Sequence, residues 1–228
     1  MTNEKIIIAL DVPSEREALE LVDQLRERIA FFKVGLQLYT AAGPEIVRAI
    51  HERAAKVFLD LKLHDIPNTV GRAVKAAREL GAAMLTIHLS GGREMVRAAI
   101  AARNAGMLIL GVTVLTSADD QALRDTGIAD NIDDQVLRLA TLGVECGVSG
   151  VVSSPHEIKM LRGKFGGRIK IVVPGIRPSW SEPGDQKRVM TPRAAIHAGA
   201  DYVVIGRPII ADPNPQAALT KILEEISG

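Results

Sequence analysis

The sequence predicts an α/β fold, a single (β/α)8 TIM barrel formed as one domain over residues 1–228, and three observations predict it. Apolar residues make up 47% of the chain but aromatic ones only 3%, the aliphatic composition of layered proteins whose parallel strands are covered on both faces. Short apolar runs alternate with longer segments in which apolar residues recur at three and four positions, the spacing of amphipathic helices. Eight such alternations fit into 228 residues, about 28 residues per unit, near the small end of the range for this barrel.

In chain order the apolar runs occupy residues 6–10, 31–36, 57–61, 84–88, 108–115, 150–152, 169–173 and 202–205. The helices expected between and after them cover residues 14–28, 44–54, 69–80, 93–104, 133–146, 156–161, 193–198 and 215–226. Ser14 with Glu17 makes a capping box for the first helix, and Pro44 suits the opening turn of the second. Gly81, Gly106, Gly147 and Gly199 stand where C-terminal caps are needed. The competing architecture is a doubly wound sheet. Its dinucleotide-binding form is disfavoured because Asp11, Val12, Pro13 and Ser14 occupy the turn where a Gly-rich fingerprint would follow the first strand. No composition shift or Pro/Gly/Ser linker marks a domain boundary. Two connections exceed the usual length, at residues 116–132 and 175–190; both follow C-terminal strand ends, where barrel active sites sit.

The formal net charge is +1 with both signs interleaved, so no broad basic surface points to nucleic acid or to an anionic membrane. A small anion held by a few Arg or Lys side chains stays compatible with that balance. Cys146 is the only cysteine, which excludes an intramolecular disulfide and a Cys-rich zinc site; at the end of a helix without a His partner it reads as structural. The apolar stretch before Asp11 is too short for a signal peptide or a membrane span, and a cytoplasmic location is the expectation. Trp180 and Tyr39 have no spacing that suggests a base-stacking platform.

Chemistry concentrates in residues 56–70, KVFLDLKLHDIPNTV. If residues 57–61 form a buried strand, Asp60 and Lys62 share a period of two and point to one side. Asp65 lies beyond the strand and has to reach a pocket by a turn, either in its own subunit or in a neighbour. The triplet is a catalytic charge array or an ordinary capped strand end. Asp11 and Lys33 close two other strands, so four ionisable groups from three successive strands converge at one barrel mouth, although any one of them alone reads equally well as a solvated rim residue. Alternating charges suit a network better than a metal cage, because an ammonium at the centre competes with a divalent cation. His64 and His88 keep a metal reading open beside a structural one. A lysine between carboxylates keeps its proton, which suits proton donation and not Schiff-base chemistry. After the eighth run, Gly206 and Arg207 form a plausible phosphate cradle, with Gly175, Arg177 and Gln186 in the preceding loop able to close over an anion; turn formation explains the same residues. Thr116 and Ser117 offer hydroxyls to a polar ring, or to a helix cap.

The motifs DLKLHDIPNT at residues 60–69, ALDV at 9–12, FKVG at 32–35, PGIRP at 174–178, GDQKR at 184–188 and VIGRP at 204–208 resemble the orotidine 5'-phosphate decarboxylase family, in order and over nearly the whole chain. A D-x-K-x-x-D motif is shared with sugar-phosphate lyases and synthases of related barrels; the IPNT continuation and the two late loops favour the decarboxylase. The resemblance implies decarboxylation of orotidine 5'-phosphate to UMP in pyrimidine biosynthesis, with Asp60, Lys62 and Asp65 in the catalytic array, Lys62 as proton donor and Lys33 continuing the network. It implies that Asp11 and Lys33 bind the ribose, that Thr116 contacts the pyrimidine, and that Arg177, Gln186, Gly206 and Arg207 close on the phosphate. It further implies a homodimer whose active sites are completed across the interface by Asp65 and Thr69 of the partner, and neither metal nor organic cofactor. The alternatives are a metal-dependent sugar-phosphate lyase or epimerase using Asp60 and His88 as ligands, and a non-catalytic nucleotide-binding protein.

Overall fold

The computed structural model describes residues 2–181 and 190–228. Eight strands, β1 (Ile6–Ala9), β2 (Phe31–Gly35), β3 (Lys56–Leu63), β4 (Ala82–His88), β5 (Leu108–Val112), β6 (Gly150–Val152), β7 (Lys170–Val173) and β8 (Tyr202–Ile205), close into one barrel in chain order. Every neighbouring pair is parallel, and β8 returns to β1 with Ile7 opposite Val204. The chain is thus a (β/α)8 barrel, as its apolar periodicity predicts.

The helices are α1 (Glu15–Leu25), α2 (Leu36–Ala42), α3 (Glu45–Glu52), α4 (Pro67–Glu79), α5 (Gly92–Ala102), α6 (Asp120–Asp125), α7 (Ile132–Cys146), α8 (Ile158–Phe165), α9 (Pro192–Ala198), α10 (Arg207–Ile210) and α11 (Pro215–Ser227). Each helix that the spacing predicts has a counterpart. Three short ones, α2, α6 and α10, lie where the sequence suggested strand end or loop. Leu36 opens α2 instead of ending β2, and Gly43 at φ 68 followed by Pro44 separates α2 from α3. Asp119 caps α6 through the Ala122 N–H, inside what read as one long connection. Ser14 caps α1, accepting the Glu17 N–H and donating its hydroxyl to the Glu17 carboxylate. Gly147 and Gly199 end α7 and α9 in the left-handed conformation, whereas Gly106 caps nothing because α5 already stops at Ala102. Strand β5 ends at Val112, three residues short of the apolar run, and β3 runs on to Leu63. None of the helices is long and apolar enough to cross a membrane among the described residues.

The runs read as continuous apolar sequence because both strand faces are covered. Ile7, Ala9, Phe58, Met84, Leu110, Val172 and Val204 fill the barrel interior, while Ile6, Ile8, Leu85 and Ile87 face the helices from the alternate positions. Fully burying one such large side chain stabilises the fold by about 1.5–3 kcal/mol. Gly150 is required by close approach: a Cβ there would lie 2.3 Å from the Lys170 carbonyl oxygen on β7.

At the opposite end from the C-terminal strand mouths, Asp201 ties three elements together. Its carboxylate accepts from Arg162 Nη2 at 2.6 Å, Lys170 Nζ at 3.0 Å and the Ile171 N–H at 2.9 Å. Burial pushes this carboxyl up, but the Ile171 N–H, Lys170 and Arg162 together outweigh it and hold it below its ordinary value. A folded-state pKa below the unfolded one contributes stability above the ordinary carboxylate range, lost as pH falls through the folded value. Asp201→Asn should therefore cost about 1.5–3 kcal/mol at pH 7, the scale of a charged hydrogen bond. Urea unfolding at pH 7 and pH 3 checks this: the gap between wild type and variant should narrow at the lower pH, and an equal gap at both would remove the charge from the explanation.

Candidate active site

The inward-facing positions change character at the top of three adjacent strands. On β2, Phe31 is followed two residues later by Lys33; on β3, Phe58 by Asp60; on β4, Met84 by Thr86. A period of two keeps each successor on the interior side, and the register sets Lys33 beside Phe58 and Gly35 beside Asp60. The polar groups therefore crown an apolar column. Lys33 Nζ donates to Asp11 Oδ1 at 2.9 Å, just past β1, and Lys62 Nζ donates to Asp60 Oδ2 at 2.9 Å. Gly35 leaves the space for the first pair, since a Cβ there would come within 2.9 Å of Lys33 Nζ.

Asp60 and Lys62 do meet, but not through a regular pleat. The β3–β4 register shifts between Leu59 and Leu63, and Lys62 has φ 51, a left-handed backbone that side-chain-bearing residues seldom adopt. The Lys62 N–H goes to the Thr86 hydroxyl at 2.8 Å, and that hydroxyl donates to Asp60 Oδ1 at 2.9 Å.

These side chains border a cleft with two halves. The inner half, about 150 Å³, is lined mainly by Phe58, Val112, Val114, Val152, Pro174 and Val204, with Lys33, Asp60, Lys62 and Thr116 at its polar margin. The outer half, about 190 Å³, shares Lys33, Asp60, Pro174 and Val204 and adds Asp11, Gly175, Arg177, Gly206 and Arg207. Arg177 is buried, and its main chain is fastened by an N–H bond to the Met190 carbonyl at 3.0 Å. Burial and the like charge of Arg207 lower its pKa from the ordinary arginine value. Two guanidiniums side by side repel, and an anion between them relieves that repulsion.

Of the residues singled out from sequence, Asp11, Lys33, Asp60, Lys62, Thr116, Gly175, Arg177, Gly206 and Arg207 thus share one cleft. Asp65 and Thr69 do not line it; both are exposed, and Asp65 Oδ1 accepts the Ile66 N–H at 2.6 Å. Gln186 and the whole GDQKR segment lie outside the described residues. The apolar lining and Thr86 escaped sequence reading. Thr86 left one signal there, a hydroxyl residue inside the apolar run that ends at His88.

His88 and His64 pack ring to ring with centroids 5.4 Å apart and planes 34° from parallel. Burial, then the neighbouring His64 and Lys62, hold His88 below its ordinary pKa against the opposing pull of Asp60. Among the described residues Asp60 and His88, the ligands of the metal-dependent alternative, belong to no group of three or more His, Cys, Asp or Glu side chains arranged to hold a metal ion.

A cleft at the C-terminal mouth of a β/α barrel, with paired charges at its margin and guanidiniums at its rim, is of the kind that suits a small anionic ligand. The chain belongs to the orotidine 5'-phosphate decarboxylase / HUMPS family, whose model matches residues 4–222. It is 49% identical over 232 residues to an orotidine 5'-phosphate decarboxylase of Moorella thermoacetica, covering 98% of this chain and 92% of that one. It is 50% identical over 223 residues to one from Actinobacillus succinogenes, covering 96% of each. The crystal structure of orotidine 5'-phosphate decarboxylase from Lactobacillus acidophilus superposes with a TM-score of 0.86 at 34% identity, covering 99% of this chain and 100% of that one.

An NMR titration of the histidine rings should find His88 below the ordinary 6.5. In His64→Ala it should move part of the way back up, because one of the two neighbours that lower it is gone. A His88 midpoint at or above the ordinary value would contradict its burial beside Lys62.

Proposed function

We propose that the chain decarboxylates orotidine 5'-phosphate to UMP in pyrimidine biosynthesis, as a carboxy-lyase that needs neither metal nor organic cofactor. One observation carries the reading: the Lys62–Asp60 pair stands at the edge of an apolar chamber that opens directly onto Arg177 and Arg207. A flat pyrimidine suits the inner half, with Thr116 as its polar contact. The ribose then lies by Asp11 and Lys33, and the phosphate reaches Gly206, Arg207 and Arg177, with Gln186 completing the grip.

In this mechanism the bond from C6 to the carboxylate carbon breaks, carbon dioxide leaves, and the electron pair stays at C6. Lys62 stabilises that charge and donates the proton that gives UMP. One ion pair at 4 Å contributes about 4 kcal/mol at an effective dielectric near 20, whereas enzymes lower barriers by roughly 8–23 kcal/mol. Lys62 alone falls short. Preorganised charges at the chamber mouth and phosphate and ribose binding directed to the reacting ring supply the remainder. The sugar-phosphate lyase or epimerase reading has less support: the inner half is mainly apolar, and the relatives near half identity carry the decarboxylase name.

The active form on this reading is a homodimer in which Asp65 and Thr69 serve the partner's cleft. Their exposure away from their own cleft, beside the exposed Ile66, supports it.

Following the absorbance lost as orotidine 5'-phosphate is consumed tests the activity. Lys62→Ala should lower turnover by about 10²–10⁴-fold, the contribution of a positioned proton donor, while still binding UMP; turnover near wild type would sink the role. Mixing inactive Lys62→Ala and Asp65→Ala proteins should restore activity, up to about a quarter of the wild-type sites for random reassortment of a two-fold dimer. Sites complete within one subunit would give no recovery.

A further inference from the structure

Thr86 is fully buried on β4, two residues above Met84 in the barrel interior and two below His88. Its one hydroxyl works in both directions. It accepts the Lys62 N–H at 2.8 Å and donates to Asp60 Oδ1 at 2.9 Å, while Asp60 Oδ2 receives Lys62 Nζ at 2.9 Å. The contacts form a closed circuit from the Lys62 main chain through Thr86 and Asp60 back to the Lys62 ammonium. Each Asp60 oxygen has its own donor, so the carboxylate cannot turn without breaking a bond to one of them.

The circuit lies where β3 departs from regular pairing. Between Leu59 and Leu63 the register against β4 shifts, and Lys62 adopts φ 51. Such a backbone persists only where its surroundings hold it, and the Lys62 N–H, turned out of the ladder, is received by a side chain. That task needs an atom that accepts and donates at once, which a threonine or serine hydroxyl does.

We infer that Thr86 is a positioning residue for the reaction: its hydroxyl holds Lys62 in the left-handed bulge and fixes the Asp60 carboxylate, so that the ammonium is aimed into the chamber. The inference rests on the reading of Lys62 as the proton donor. Thr86 itself touches no reacting atom.

Thr86→Val keeps the shape and removes the hydroxyl, and Thr86→Ser keeps the hydroxyl and removes the methyl. With orotidine 5'-phosphate as substrate, the valine variant should lose about 10- to 100-fold in kcat, the effect of a charged hydrogen bond on a barrier, with affinity for UMP retained; serine should restore most of the loss. The crystal structure of the valine variant should show Lys62 out of the left-handed region or its ammonium parted from Asp60. If that variant does not fold, Thr86→Ala is taken through the same two measurements. An unchanged kcat, a serine variant as impaired as valine, or a crystal structure that keeps both φ and the 2.9 Å contact would each overturn the assignment. A wild-type protein that turns over no orotidine 5'-phosphate would refute the decarboxylase reading, and the crystal structures would still decide whether Thr86 holds the bulge.

Discussion

Charge at the top of an apolar barrel has to be neutralised within a few ångströms, and that constraint arranges the mouth of this protein. A lone ion taken out of water costs several kcal/mol, and removing one member of a buried pair leaves the other uncompensated. Here each more enclosed group is matched with a more open one. Lys33, whose side chain is 12% exposed, pairs with Asp11 at 52%, and Asp60 at 14% pairs with Lys62 at 29%. The open members keep part of their hydration while the enclosed ones are held in place. The charges are therefore set before any ligand arrives, which is the condition under which electrostatic stabilisation needs no reorganisation during reaction.

The cleft divides its work by polarity. Its inner half offers mostly aliphatic surface, which positions a ring by exclusion of water, and its outer half offers two guanidiniums whose mutual repulsion is relieved by an anion. On the proposed reading these are the two ends of one nucleotide. Binding strength is then gained at the phosphate, far from the bond that breaks, and is available to orient the ring against Lys62. Lys33 and Asp60 line both halves, so a ligand that spans the cleft meets the charge network at its middle.

The barrel was legible because its signal is a repeat: eight apolar runs separated by helical spacing, closed by the packing rule that parallel strands be covered on both sides. Boundaries were less so. Residues 113–115 read as the end of a strand, yet Val114 and Leu115 leave the sheet to line the cleft, where apolar character serves a ligand-facing wall. The charged groups were legible as a set because ionisable side chains at successive strand ends are rare on packing grounds. What the sequence hid was the path between them. A period of two brought Asp60 and Lys62 to the same side, but the bulge at Lys62 and the Thr86 hydroxyl beneath it are tertiary features, fixed by the β4 neighbour and invisible in the local pattern of β3. Asp65 was legible as lying beyond its own strand, while the part of Asp65 and Thr69 in a second subunit rests on family resemblance and on their exposure.

The bulge also explains how one stretch faces two ways. Up to Asp60 the chain follows the barrel wall; at Lys62 it takes the left-handed turn, and His64, Asp65 and Ile66 emerge exposed, with Ile66 at 66%. Pro67 then starts α4, so only a few residues link the inward ammonium to the outward carboxylate, and they are bounded by a strand at one end and a helix at the other. In the proposed homodimer, where Asp65 enters the partner's cleft, one short stretch at the end of β3 would thus carry the ammonium of one site and a carboxylate of the other.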